Sequence, residues 1–406
     1  MTLLEVITRA VAAAEPNDDG GNPPPPSKYP IVLNTDEIFS QLKPDAEAPG
    51  GVSLKHVSGW KISETDAAII ELSSRLVEKL RSKLRRPKSF GKGDFFGILN
   101  LFLRKSAEKI GLSIGSDAGH ASGIEFARAG IEKLGFLIGR EVAGLIADCC
   151  VVLEVWGLLE TLLLEGLVGH LNSTNLTEKL VEKNQTQLLC LLVKNVPDLR
   201  SAELLTVLKH FLSPTDDSYD GMVAVKKQWE SQAILAIEKA TQMGLPKKAS
   251  KLAREASILL MMAYDGFSPS QVCLHYVFGS SNAEGLVLSS VISRLDGQEV
   301  LDLIRYFVKW LEKYHRFPEA CPCPSAGSML GLRTCESVPS FESIIKALGL
   351  VLDEHFSYLV FNSEFHDEMR AAEDIVSSLV LEANLSCPLE NIIKYLQSEI
   401  RKNRDL

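Results

Sequence analysis

Residues 296–311 read DGQEVLDLIRYFVKWL, and this stretch sets the pattern for most of the chain. Asp296 followed three residues later by Glu299 is a helix-capping box, in which two side chains satisfy backbone N–H groups of the first helical turn. Six apolar residues then recur at spacings of three and four: Val300, Leu303, Ile304, Phe307, Val308 and Leu311. That spacing puts them on one face and predicts an amphipathic α-helix.

A cap followed by an apolar helix recurs through the last two thirds of the chain. Residues 175–178 (NLTE) and 268–271 (SPSQ) are predicted capping boxes, and Ser201, Ser340 and Ser386 each precede an apolar stripe. No run alternates apolar and polar residues as a strand does. We therefore predict an all-α protein. The cap-to-cap distances vary, which favours an irregular α-solenoid or a bundle of stacked helical hairpins over a regular repeat array.

The start of the chain has a different composition. Residues 16–30 read PNDDGGNPPPPSKYP, and consecutive prolines favour an extended polyproline II spacer. Residues 1–15 are predicted to form a short amphipathic helix. We predict three parts: a partly disordered N-terminal extension with a Pro-rich linker (1–30), an N-terminal helical region with an irregular lead-in (31–135), and a C-terminal domain that resembles helical repeats (136–406).

Composition and charge exclude several classes of protein. Of the 406 residues, 46% are hydrophobic and 23% charged, which is typical of a folded globular protein. The net charge of −9 excludes a small basic nucleic-acid-binding protein. Eight cysteines are too few for a disulfide scaffold, and residues 1–15 lack the pattern of a secretory signal, so we expect a reducing compartment. The most apolar stretch, residues 142–171, contains four acidic residues and predicts buried helices without membrane contact.

The most distinctive charge feature is residues 75–92, which contain eight basic residues and one acidic residue. The candidate contact residues in it are Arg75, Lys79, Arg81, Lys83, Arg85, Arg86 and Lys88. A block of this density is typical of a nuclear import signal and can also bind the phosphates of RNA. The third interpretation is a helix C-terminus, where basic residues interact favourably with the negative end of the helix dipole. The sequence leaves all three interpretations open.

The phosphate loop and HExxH, two motifs that identify catalytic or cofactor sites, are absent from the sequence. The glycine-rich residues 111–123 lack the Lys-Ser/Thr pair of a phosphate loop. The best metal candidate combines His315 with Cys321, Cys323 and Cys335, but its C-x-C spacing differs from that of a zinc knuckle. A Pro-rich loop with incidental thiols is the favoured interpretation. We expect no catalytic activity, cofactor, metal or small-molecule substrate.

From about Tyr29 onward the chain resembles a group of plant proteins without a characterised activity. The runs that carry this resemblance are YPIVLNTDEIF (29–39), KQWESQAILAIEKA (227–240), AREASILLMMAYDGFS (253–268) and LGLVLDEHFSYLV (348–360). Residues 188–212, LLCLLVKNVPDLRSAELLTVLKHFL, are similar to helical C-terminal segments of the nucleolar protein eleven family. That family pairs a β-propeller with a helical region in the small-subunit processome. The resemblance implies that this chain corresponds to a helical part, and it brings no catalytic residues.

These observations lead us to expect a non-catalytic helical scaffold for protein–protein interaction in nucleolar ribosome biogenesis, in pre-rRNA processing. The expected partners are other proteins of a multi-subunit assembly, with RNA as a further partner through the basic run. The expected location is the nucleus or nucleolus. The alternative is a cytoplasmic α-solenoid adaptor in trafficking or ubiquitin-linked assembly, in which the basic run is only a helix terminus.

Overall fold

The computed structural model describes residues 64–114, 123–169, 173–242, 244, 246–280 and 285–402. Over these residues the chain forms α-helices, turns and short 3-10 segments, with no β-strand, which confirms the all-α prediction for this part. The predicted extension and linker, residues 1–30, lie outside the described residues. The chain divides into two packing units, Met1–Lys61 and Ile62–Leu406, and all of the described helices belong to the second.

The first half of the described chain contains these helices: α1 (Glu64–Leu84), α2 (Lys92–Ile110), α3 (Gly123–Leu134), α4 (Arg140–Val152), α5 (Trp156–Leu164), α6 (Ser173–Glu182), α7 (Thr186–Asn195) and α8 (Ser201–Leu212). The second half contains α9 (Asp216–Thr241), α10 (Lys247–Tyr264), α11 (Pro269–Phe278), α12 (Gly285–Ile292), α13 (Gly297–Arg316), α14 (Ser325–Leu330), α15 (Phe341–Phe361) and α16 (His366–Lys402). Short 3-10 segments lie at Pro87–Ser89, Gly135–Leu137, Arg333–Ser337 and Ser363–Phe365.

Most helices pack against helices that are close to them in sequence. Helix α1 lies against α2 and α4, α5 lies against α7, and α7 lies against α9 and α11. The contacts continue from α11 and α12 to α15, and from α13 to α15 and α16. The middle helices therefore have neighbours on more than one side, as in stacked helical hairpins.

Three predicted helix starts are present as hydrogen-bonded caps. Ser268 Oγ accepts a bond of 3.2 Å from the N–H of Gln271, whose Oε1 accepts one of 3.1 Å from the N–H of Ser268. Asp296 and Glu299 exchange equivalent bonds of 3.0 and 2.9 Å. Ser340 Oγ accepts a bond of 3.1 Å from the N–H three residues later, at the start of α15. Each cap is a local interaction, which is why the sequence alone revealed it.

Two other predicted helix starts are wrong. Helix α6 begins at Ser173, so Asn175 lies inside its first turn. The hydroxyl of Thr177 donates to the carbonyl of Ser173 at 2.7 Å and so takes part in the helix interior. Helix α16 continues through Ser386 and Pro388 without a break. A proline inside a helix removes one backbone hydrogen bond, and its ring crowds the carbonyl group four residues before it. The helix continues through Pro388 all the same, so the cap-like residues before this proline do not start a new helix.

An aromatic cluster surrounds His275 at the centre of the stack. The ring of His275 is fully buried, with Nδ1 2.9 Å from the hydroxyl oxygen of Tyr306 and Nε2 2.9 Å from the carbonyl oxygen of Ala263. The rings of Trp229 and Trp310 have centroids 5.1 and 5.0 Å from that of His275. Burial lowers the pKa of His275 to about 3, so its imidazole is neutral at physiological pH.

This buried neutral histidine predicts a pH dependence of stability. In the unfolded chain His275 has its ordinary pKa of 6.5, and in the folded chain a pKa of about 3. The unfolded state therefore binds an extra proton between these values, and stability falls as the pH is lowered through that window. Proton linkage predicts that the free energy of unfolding falls by about 1.4 kcal/mol for each pH unit between about pH 6 and pH 4.

Urea denaturation at several pH values checks this expectation. His275→Gln should reduce the slope of unfolding free energy against pH by that amount. His366→Gln, at an exposed histidine, should leave the slope unchanged. Equal slopes for the wild type and His275→Gln would contradict a neutral buried His275.

Candidate functional site

The candidate site is the basic run at the end of α1. Leu76 and Leu80 are buried on the side of α1 that meets the rest of the body, where it contacts α2 and α4. Helix α1 ends at Leu84, a 3-10 segment follows at Pro87–Ser89, and α2 begins at Lys92. The apolar face thus fixes the helix, and the basic residues that alternate with it lie on the solvent side.

Three of the seven candidate residues form ion pairs. The pairs are Arg75 with Glu71 at 2.5 Å, Arg81 with Glu141 at 2.5 Å, and Lys83 with Asp94 at 3.0 Å. The second pair joins α1 to α4, and the third joins α1 to α2. Because all three pairs are partly exposed to solvent, each stabilises the fold by only about 0.2–1 kcal/mol. These cations therefore have a structural role of their own.

The other four candidate residues have no such role. Lys79, Arg85, Arg86 and Lys88 are exposed, and none forms an ion pair with another residue of the described part of the chain. Arg85 and Arg86 directly follow the last residue of α1, beside the negative end of its dipole. The structure thus separates the predicted run into structural cations and cations that remain available to a partner.

A small groove between α1 and α2 lies beside these residues. Arg75, Lys79 and Lys105 line it together with apolar residues such as Ile98 and Leu101. Its volume of about 80 Å³ is far below the roughly 300–1,000 Å³ of a small-molecule pocket. The groove adds Lys105 to the surface, a residue that lies outside the predicted run and was missed because it comes from another helix.

The predicted cysteine candidate does not form a thiolate cluster. Cys323 and Cys335 are buried and Cys321 is exposed, and the Cys323 thiol donates to the carbonyl of Cys321 at 3.1 Å. Burial raises the pKa of the Cys323 thiol, and that of Cys335 to about 12, so both are protonated at neutral pH. His315 Nδ1 lies 3.5 Å from a carboxylate oxygen of Glu382. Across the described ranges no three His, Cys, Asp or Glu residues are grouped to hold a metal ion.

An apolar surface on α15 and α16 was missed by sequence reasoning. On α15, Phe356 and Phe361 are 67% and 85% exposed. A groove of about 540 Å³ lies between the two helices, lined mainly by apolar side chains such as Leu352, Met369 and Val376. Phe356 continues the apolar spacing of the buried part of α15, so its sequence position does not distinguish it from a core residue.

Comparison with known proteins finds no match to this chain among protein-family models, curated proteins or solved structures.

None of the helices in the described ranges is long and apolar enough to span a membrane. Within the apolar stretch, residues 142–152 lie in α4 and residues 156–164 form α5, and the buried side chains of both helices belong to the common core. Most of the glycine-rich stretch, residues 115–122, lies outside the described residues.

The division of the basic run predicts different effects on stability. Arg81→Ala with Lys83→Ala removes two ion pairs between helices and should lower the free energy of unfolding by about 1 kcal/mol. Arg85→Ala with Arg86→Ala removes exposed side chains without ion pairs and should change it by less than about 0.5 kcal/mol. Urea denaturation of the two double variants measures this. Equal losses would show that Arg85 and Arg86 also stabilise the end of α1.

Proposed function

We propose that this chain is a non-catalytic helical scaffold that binds other proteins of a multi-subunit assembly in the nucleolus, in pre-rRNA processing. The observation that carries the proposal is the cluster of Lys79, Arg85, Arg86 and Lys88, exposed and without ion pairs in the described chain. The protein as a whole is acidic, with a net charge of −9. A concentration of free positive charge at one place in an acidic protein supports recognition by an acidic partner, such as an import receptor or RNA.

The local chemistry supports contact with phosphate groups rather than with bases. Phe90 and Phe95, the aromatic residues nearest the basic run, are buried and cannot stack on a base. Arginine and lysine neutralise backbone phosphates without reading sequence. The scaffold would therefore hold RNA in place, and specificity for the assembly would come from its protein partners.

The protein-binding part of the proposal is supported by exposed aromatic area. Phe356 is exposed and lies one helical turn after Leu352, which lines the groove between α15 and α16. Exposed aromatic side chains next to a concave apolar surface are typical anchors for protein partners.

A second candidate function has its own supporting observation. Arg75 forms an ion pair within α1, Arg81 forms one with α4, and Lys83 forms one with α2. They favour the interpretation of the run as a stabilised helix terminus. In that case the protein is a cytoplasmic α-solenoid adaptor in trafficking or ubiquitin-linked assembly.

Localisation of a fluorescent fusion separates the two functions. For the nucleolar scaffold we expect nucleolar enrichment that is lost when Lys79, Arg85, Arg86 and Lys88 are all replaced by alanine. A matched control replaces four exposed lysines of α9 and α10: Lys227, Lys247, Lys248 and Lys251. The control removes the same charge and should keep the nucleolar signal. Exclusion of the unmodified fusion from the nucleus would reject the nucleolar scaffold and favour the adaptor.

Affinity purification from the protein's own cells tests the assembly itself. We expect pre-ribosomal proteins to be recovered with the wild type and with the four-lysine control. Ribonuclease treatment, or alanine at the four free cations, should reduce their recovery if RNA forms part of the link. Recovery of coat or ubiquitin-ligase subunits without pre-ribosomal proteins would contradict the scaffold and support the adaptor.

A further inference from the structure

Helix α16 has two halves with different surroundings. It is 37 residues long, which corresponds to about 55 Å. Its first half packs on α13, where Glu368 pairs with Arg305 at 2.7 Å and Ala372 is buried. From residue 380 to residue 397 every side chain that the structure describes is exposed. The second half of α16 thus extends beyond the packed body, apart from Glu382 at its beginning, whose carboxylate lies 3.5 Å from His315 of α13.

The extended half is too apolar to be an ordinary solvated helix. The exposed apolar residues on it are Val380, Leu381, Leu385, Ile392, Ile393, Tyr395 and Leu396, each more than half exposed. A monomeric protein rarely presents so many large apolar side chains on one continuous element. A helix in a folded protein gains most of its stability by packing such a face against other parts of the structure. This half of α16 therefore has the composition of an interface.

Six of its apolar residues form one stripe with symmetric spacing, and Val380, Ile393 and Tyr395 lie outside this stripe. The six residues of the stripe are Leu381, Leu385, Leu389, Ile392, Leu396 and Ile400, with intervals of 4, 4, 3, 4 and 4. Intervals of three and four place these positions on one side of a helix. The midpoint lies between Glu390 and Asn391, and the pattern reads the same in both directions from it.

Such a pattern is what an antiparallel pair of identical helices requires. A two-fold axis through the midpoint places each residue opposite the one at the same distance on the other side. Position 385 then meets position 396 of the second copy, position 381 meets 400, and position 389 meets 392. Every contact along this seam joins two apolar residues. No other register of the same stripe pairs all six positions.

The charges at the two ends of α16 agree with this orientation. The beginning of α16 and the turn before it are acidic. They contain one arginine, Arg370, and these acidic residues: Glu364, Asp367, Glu368, Glu373 and Asp374. The last turns of α16, residues 394–402, are basic, with one acid, Glu399, among these bases: Lys394, Arg401 and Lys402. Antiparallel pairing brings position 401 beside position 380 of the second copy, within a few turns of Glu373 and Asp374. A parallel pair would place like charges together.

We propose that residues 380–400 of α16 bind the same segment of a second copy of this chain as an antiparallel helix pair. The pair covers the exposed apolar stripe of both copies. This inference goes beyond the scaffold function and does not depend on it, because it rests only on the surface and sequence of α16.

Molar mass in solution tests the pairing. By sedimentation equilibrium or light scattering we expect the full chain to have twice the mass of one chain, with dissociation on dilution. Leu385→Asp with Leu396→Asp should give a monomer whose far-UV circular dichroism spectrum keeps the helical signal of the packed body. The matched control is Leu286→Asp with Met329→Asp, which removes two exposed apolar residues elsewhere and should remain a dimer. A wild type that is monomeric at every concentration up to its solubility limit would overturn the proposal, and so would a monomeric control.

Crosslinking tests the orientation. Cys321→Ser and Cys387→Ser first remove the exposed cysteine and the cysteine of α16 itself. One tagged copy then carries Leu385→Cys, an untagged copy carries Leu396→Cys, and a short bis-maleimide joins nearby thiols. The antiparallel pair predicts crosslinks between the two kinds of copy and few between identical copies. Crosslinks mainly between two copies that carry the same substitution would show a parallel pair and overturn the proposal.

Discussion

Helix α11 is the element on which the rest of the body depends, because all of its residues from 272 to 278 are buried. A helix without a solvated side must be enclosed by other helices, and α7, α8, α9 and α15 do so. Its polar side chains must also find partners, since an unsatisfied buried polar group costs about 1–3 kcal/mol. His275 does so through Tyr306 and the carbonyl of Ala263, and Tyr276 accepts a bond of 3.2 Å from Trp229. These bonds join α9, α10, α11 and α13, so the centre is specified by polar as well as apolar contacts.

Local features of this fold could be predicted from the sequence. The caps at Ser268, Asp296 and Ser340 each depend on atoms three residues apart, and a motif is enough to reveal them. The end of α1 at Leu84 is also a local feature, because Pro87 disfavours a helical conformation in the residue before it. The wrong starts at residues 175 and 386 come from the same rule, since a cap-like residue is also tolerated inside a helix that the rest of the chain holds in place.

Contacts between distant residues could not be predicted. The basic run gives no sign in the sequence that Arg81 pairs with Glu141, sixty residues away, while Arg85 and Arg86 have no ion pair in the described chain. In the sequence, His275 is one of eight histidines and nothing distinguishes it from the others. Only the packing of the helices shows that its ring is buried. The exposure of Phe356 was equally hidden, because periodicity shows which residues share a face but does not show whether another helix covers that face.

The two ends of the described helical stack show why this matters for function. A stack of helices buries the faces of its middle members against each other, but its terminal members each have a side without a neighbour. At α1 that side is charged and can remain in water. At α16 the extended half is apolar, so its exposure to water is unfavourable. A self-matching contact closes after two copies, whereas a contact between this apolar end and a different surface of the same chain gives a ring or an open filament. The symmetric spacing of the apolar stripe in α16 favours the closed pair.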